Sequence, residues 1–65
     1  MQIILNGQPY NLADDFTVTD LLTRLDLKGK LAVEINHTIV PRSQFPILRI
    51  NAGDRIEIVQ AIGGG

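Results

Sequence analysis

The chain has 65 residues, 45% hydrophobic and 20% charged, with a net charge of −1 and no cysteine. That length allows one domain near the lower limit for independent folding, and the composition is globular rather than disordered. The totals exclude disulfides, thiolate zinc and a cysteine nucleophile, a membrane-spanning helix, and a nucleic-acid footprint, because the six cations (Arg24, Lys28, Lys30, Arg42, Arg49, Arg55) are scattered rather than clustered.

Met1-Gln2-Ile3-Ile4-Leu5 lacks the charged leader and cleavage site of a secretory signal. With the missing cysteines, which suit a reducing compartment, it reads as the first strand of a cytoplasmic protein. Asn6-Gly7 follows, the strongest two-residue hairpin signal because both central positions take φ > 0. Gln8 to Leu12 is the returning strand, and Pro9, which has no N–H to donate, places it at a sheet edge.

Thr17 with Asp20 three residues on forms a variant of the capping box. Val18, Leu21, Leu22 and Leu25 then fall at helical spacing, with acidic residues before them and basic ones after, as the helix dipole prefers. Gly29 is the expected stop. Leu31 to Asn36 alternates as a half-buried strand, Asn36-His37 turns, and Thr38 to Val40 is a short strand ended by Pro41. Arg42 to Pro46 is a loop or single helical turn, Ile47 to Ile50 is expected to be extended, and Asn51 to Asp54 turns into a last strand, Arg55 to Val59.

The order is ββαβββ in outline. One helix covers one face of a mixed sheet of four to five strands, with the first and last strands as candidates for adjacent central positions. This α+β outline is the β-grasp, or ubiquitin-like, architecture. It predicts a folded domain over residues 1–59 and a tail over 60–65.

Side-chain chemistry is sparse. His37 is the only histidine, stands in an expected turn and has no serine or cysteine pattern to pair with. Asp14 and Asp15 are adjacent, so they face different ways and suit a solvated helix start better than a catalytic pair. Arg42 is a loop cation by default, Phe45 is expected in the core, and no metal-ligand spacing stands out. No catalytic residue and no metal ligand is assigned.

Half of the six glycines stand together at Gly63, Gly64 and Gly65. No helix follows to make them a phosphate loop. Such a tail is either a frayed end or the reactive part of the molecule. Glycine backbone is thin enough for a narrow channel, and Gln60 to Gly65 reaches roughly 20 Å when extended. Its α-carboxylate is ionised at neutral pH and can attack an activated phosphate such as that of ATP. The tail follows directly on the apolar end of the last strand, with Ile62 just beyond, which offers a docking surface.

Taken in order, the Met1-to-Leu5 strand with Asn6-Gly7, Thr17-Val18-Thr19-Asp20-Leu21-Leu22, Ala32-Val33-Glu34-Ile35-Asn36 leading to Ile39-Val40-Pro41-Arg42, Gly53-Asp54-Arg55-Ile56-Glu57-Ile58-Val59 and the glycine end resemble the ThiS-type sulfur carriers of thiamin biosynthesis. The likeness covers essentially the whole chain. It implies a carrier rather than an enzyme, with no tightly bound cofactor. A partner adenylyltransferase resembling ubiquitin-activating enzymes would use ATP and magnesium to adenylate the Gly65 carboxylate. A sulfur relay fed by a cysteine desulfurase would convert it to a thiocarboxylate, and thiazole synthase would receive the sulfur. On this resemblance Gly65 is the reactive terminus, Gly63 and Gly64 thread into partner active sites, and Val59 and Ile62 dock. Two other readings stay open: a carrier like the small subunit of molybdopterin synthase, and a ubiquitin-fold modifier or interaction module.

Overall fold

A computed structural model describes residues 1–60. Five strands and one helix follow in the order β1 (Gln2–Leu5), β2 (Gln8–Asn11), α1 (Val18–Arg24), β3 (Leu31–Ile35), β4 (Thr38–Ile39) and β5 (Arg55–Gln60), with a 3-10 turn at Arg42–Gln44 before β5. The sheet order is β2-β1-β5-β3-β4. The first and last strands lie side by side at its centre and run parallel, whereas the other pairs are antiparallel.

Local chemistry sets each corner. Asn6 and Gly7 have φ of 48° and 83°, and Asn36 and His37 have 51° and 70°, the double positive φ that lets a two-residue loop follow the twist of its strands. Pro9 faces Ile4 across the β1–β2 pair and lies on an edge strand as expected, where its missing donor breaks no ladder.

Thr17 caps α1 in a full capping box. The Asp20 N–H donates to the Thr17 hydroxyl at 3.2 Å, and the Thr17 N–H donates to the Asp20 carboxylate at 2.9 Å. Thr17→Ala should therefore cost about 1 kcal/mol and lower Tm by roughly 4–8 °C in a thermal melt followed by circular dichroism. An unchanged melt would show that the cap is idle.

Two expectations change. The helix ends at Arg24 and is capped by Leu25, well before Gly29. Asp26 takes the left-handed position at φ 57°, its N–H donates to the Thr23 carbonyl, and the Leu27 N–H donates to the Leu22 carbonyl, both at 3.0 Å. These two bonds are the Schellman closure, which satisfies the orphan carbonyls usually closed around a glycine.

Second, Ile47 to Ile50 is no sheet strand. Its backbone closes over the start of α1 instead: Leu48 accepts from the Val18 N–H at 3.2 Å, and the Ile50 N–H donates to Phe16 at 2.9 Å. A single bridge joins Thr17 and Arg49. These bonds engage one of the first N–H groups that every helix leaves without an intrahelical partner.

The core lies between α1 and one face of the sheet. Val18, Leu21 and Leu22 from the helix meet Ile3, Val33, Ile56 and Ile58 from the strands, with Leu12, Val40, Phe45 and Ile50 closing the ends. Phe45 is a core residue, as expected. No helix among the described residues is long and apolar enough to cross a membrane.

Candidate functional site

The alternation along β5 decides what this strand shows to each side. Ile56 and Ile58 are buried while Arg55, Glu57 and Val59 are exposed, so the outward set lies on the sheet face opposite the helix. Val59 is 66% exposed and Ile39, on β4, is 70% exposed. Ala32 stands opposite Val59 in register, giving an apolar spot on the open face.

That spot is part of a shallow depression of about 290 Å³ lined by Lys30, Leu31, Ala32, Arg42 and Val59. Two cations thus flank a small apolar floor where β5 ends. Arg42 is fixed by donating from Nη2 to the Gly29 carbonyl at 3.2 Å, and its guanidinium lies 5.9 Å from the Phe45 ring centroid. Gln60 donates from Nε2 to the Lys28 carbonyl at 3.0 Å. The 28–30 loop is therefore tied on both sides to the elements that border the depression.

Strand β5 runs through Gln60, paired with Leu31, one residue past the expected Val59. Asn6 anchors it from the other side. The Ile58 N–H donates to Asn6 Oδ1 at 2.8 Å, and Asn6 Nδ2 donates to the Ile58 carbonyl at 3.4 Å. The parallel β1–β5 register covers only Ile4 with Arg55 and Leu5 with Ile56, so the Asn6 side chain supplies the next pair of bonds. In the sequence Asn6 is visible only as a turn residue.

Of the residues singled out from the sequence, Val59 stands at this depression. Ile62, Gly63, Gly64 and Gly65 lie outside the described residues. Asp14 and Asp15 diverge as expected: Asp14 lies 3.6 Å from the N-terminal amine and Asp15 lies 3.0 Å from Arg49. His37 is in its turn, but it is not isolated. Ligand atoms of Glu34, His37 and Glu57 lie within 4.8 Å of one another, a grouping that depends on strand pairing and so has no signal in linear spacing.

A five-stranded mixed sheet with one helix on one face, parallel central strands and an outward apolar spot where the last strand ends defines a β-grasp protein. The sequence model of the ThiS family matches residues 3–65, and the chain belongs to that family. It is 41% identical over 66 aligned positions to the sulfur carrier protein ThiS of Escherichia coli strain K12, covering 100% of each. It is 42% identical to a thiazole synthase of Paramagnetospirillum magneticum, where it matches 100% of this chain but spans only 20% of the longer protein. The crystal structure of the thiamine biosynthesis protein ThiS from Geobacter metallireducens superposes with a TM-score of 0.84 at 30% identity, covering 100% of both chains.

Proposed function

We propose that this protein is a sulfur carrier of thiamin biosynthesis, with the Gly65 carboxylate as its working group. The observation that carries the reading is full-length similarity to a protein named as that carrier, on a fold whose last strand runs to Gln60, with Gly63, Gly64 and Gly65 shortly after it in the sequence.

The chemistry follows from the reactivity of a carboxylate. A carboxylate oxygen attacks the α-phosphorus of ATP, bound with magnesium by the partner adenylyltransferase, and pyrophosphate leaves. The acyl-adenylate is then attacked at carbon by a sulfur nucleophile from a cysteine-derived relay, and AMP leaves. A thiol then attacks the relay's sulfur, forming a disulfide with the relay and releasing the carrier as a thiocarboxylate, whose sulfur is softer and more nucleophilic than oxygen and passes to thiazole synthase. The carrier contributes reach and address. Gly63 and Gly64 thread the terminus inward, while Val59 and Ile62 meet the partner's outer surface. Similarity to a segment within a protein named thiazole synthase supports that pairing, since tethering carrier to acceptor would raise their effective concentration.

The depression beside Val59, with Lys30 and Arg42 at its rim, suits a partner surface that is apolar at its centre and acidic around it. Val59→Glu changes a side chain that is already 66% exposed, so stability should move by no more than about 0.5 kcal/mol. Affinity for the adenylyltransferase should fall at least about tenfold, or 1.4 kcal/mol, in a titration of the two purified proteins. Unchanged binding would remove Val59 from the interface. Capture of the thiazole synthase from a cell extract tests the pathway, because recovery of the large molybdopterin synthase subunit in its place would overturn it.

A further inference from the structure

We propose that Glu34, His37 and Glu57 form a binding site for one borderline divalent transition ion of the zinc class on the outer face of the sheet. Glu34 on β3 stands in register with Glu57 on β5. Two carboxylates directly opposite on neighbouring strands repel each other and destabilise the pair. Neither belongs to the ion pairs found among the described residues, which join Met1 with Asp14 and Arg49 with Asp15. A cation between the two carboxylates would turn that repulsion into attraction.

His37 supplies the third ligand from the turn that follows β3. The turn is held in place by its neighbour: the Arg55 N–H donates to Asn36 Oδ1 at 2.9 Å, and Asn36 Nδ2 donates to Asp54 at 3.0 Å. The Asn36 N–H also donates to the Arg55 carbonyl at 2.7 Å. The hairpin end is thus tied to the strand that carries Glu57.

One imidazole nitrogen and one oxygen of each carboxylate lie within 4.8 Å of one another. Ligands around a tetrahedral zinc, each about 2.0–2.2 Å from the ion, sit closer than that, so small rotations of these partly or fully exposed side chains complete the shell. Nitrogen with carboxylate oxygen is a zinc-type donor set, with water free to take the fourth position. Magnesium and calcium prefer oxygen alone. Glu57 is two residues before Val59 on the same face, so an ion here cancels negative charge beside the apolar spot. This inference is independent of the sulfur-carrier reading.

The test is a titration of the isotope-labelled full chain with zinc chloride, followed by NMR, with magnesium chloride in parallel. The expected result is saturation at one equivalent of zinc, with shifts centred on the His37 ring and the Glu34 and Glu57 side chains and no such response to magnesium. Loss of an outer-sphere partner alone weakens metal sites about 10–100-fold, so Glu57→Gln, which removes a ligand, should weaken zinc binding at least that much. Zinc should also raise the Tm of the native chain and leave that of Glu57→Gln unchanged. Equal affinity in Glu57→Gln, an equal response to magnesium, shifts centred elsewhere, or no saturation at His37 with millimolar zinc would each overturn the site.

Discussion

Deleting Gly64 and Gly65 should leave a folded protein that no longer delivers sulfur. Among the described residues the buried core ends at Ile58, and the last strand pairing is that of Gln60 with Leu31. The deletion touches neither, so the unfolding free energy should change by no more than about 0.5 kcal/mol, as for surface changes generally. The truncated chain keeps a terminal carboxylate, but on Gly63 and two residues short, which is roughly 7 Å at full extension. Reactions depend on placing groups within about an ångström, so a terminus so displaced stays outside the chemistry. Thiazole formation in a reconstituted assay should fall to the level seen without carrier. A truncated protein that still supports it would place the reactive group elsewhere.

Ile56→Ala should have the opposite profile, an intact tail on a failing fold. Ile56 is fully buried and is held between Leu5 on one side and Ile35 on the other in the sheet register. Truncating a buried isoleucine costs about 2–5 kcal/mol through lost transfer energy and the cavity left behind. A single core below about 70–80 residues rarely supplies more than about 3–5 kcal/mol, so one substitution removes most of the reserve. Urea denaturation followed by circular dichroism should show a chain largely unfolded before denaturant is added. A cooperative transition displaced by less than about 1 kcal/mol would mean that β5 is not the structural centre described here.

The two variants separate the jobs of the chain. In the proposed function, the fold holds β5 and β5 carries the chain toward the glycine tail. On the proposed reading, a protein with so little side-chain chemistry can still serve a reaction, with the partner doing the catalysis and this chain supplying the group and its address.

Much of the fold is legible in the residues because the signals are local. Asn6-Gly7 can form only a tight turn of one hand, Pro9 cannot sit in a central strand, and Thr17 with Asp20 caps a helix whose stripe is read directly from Val18, Leu21 and Leu22. The errors arise where local propensity competes with tertiary demand. Ile47 to Ile50 has strand composition, yet the start of α1 needs partners for its N–H groups and the segment supplies one, the Leu48 carbonyl that accepts from Val18. Asp26 closes the helix in a position usually given to glycine, which hides the end from a search for glycine.

Features that depend on register leave no trace in the linear sequence. Asn6 holding Ile58 spans 52 residues, and Glu34 meets Glu57 only because β3 and β5 pair antiparallel with Val33 beside Ile58. A one-residue slip would put these side chains on opposite faces, so no inspection of spacing along the chain could reveal them. The site at the end of β5 falls between these cases. Val59 is visible as the last residue of an alternating strand, whereas the cations Lys30 and Arg42 beside it come from distant loops.

In the proposed function, the Gly65 carboxylate is the group that carries sulfur. The most direct measurement is the intact mass of the full chain after incubation with its adenylyltransferase, ATP, magnesium and a sulfur source. The expected result is a gain equal to the difference between one sulfur and one oxygen atom, located by fragmentation at Gly65. An unchanged mass with an active partner, or sulfur found on any other residue, would contradict it.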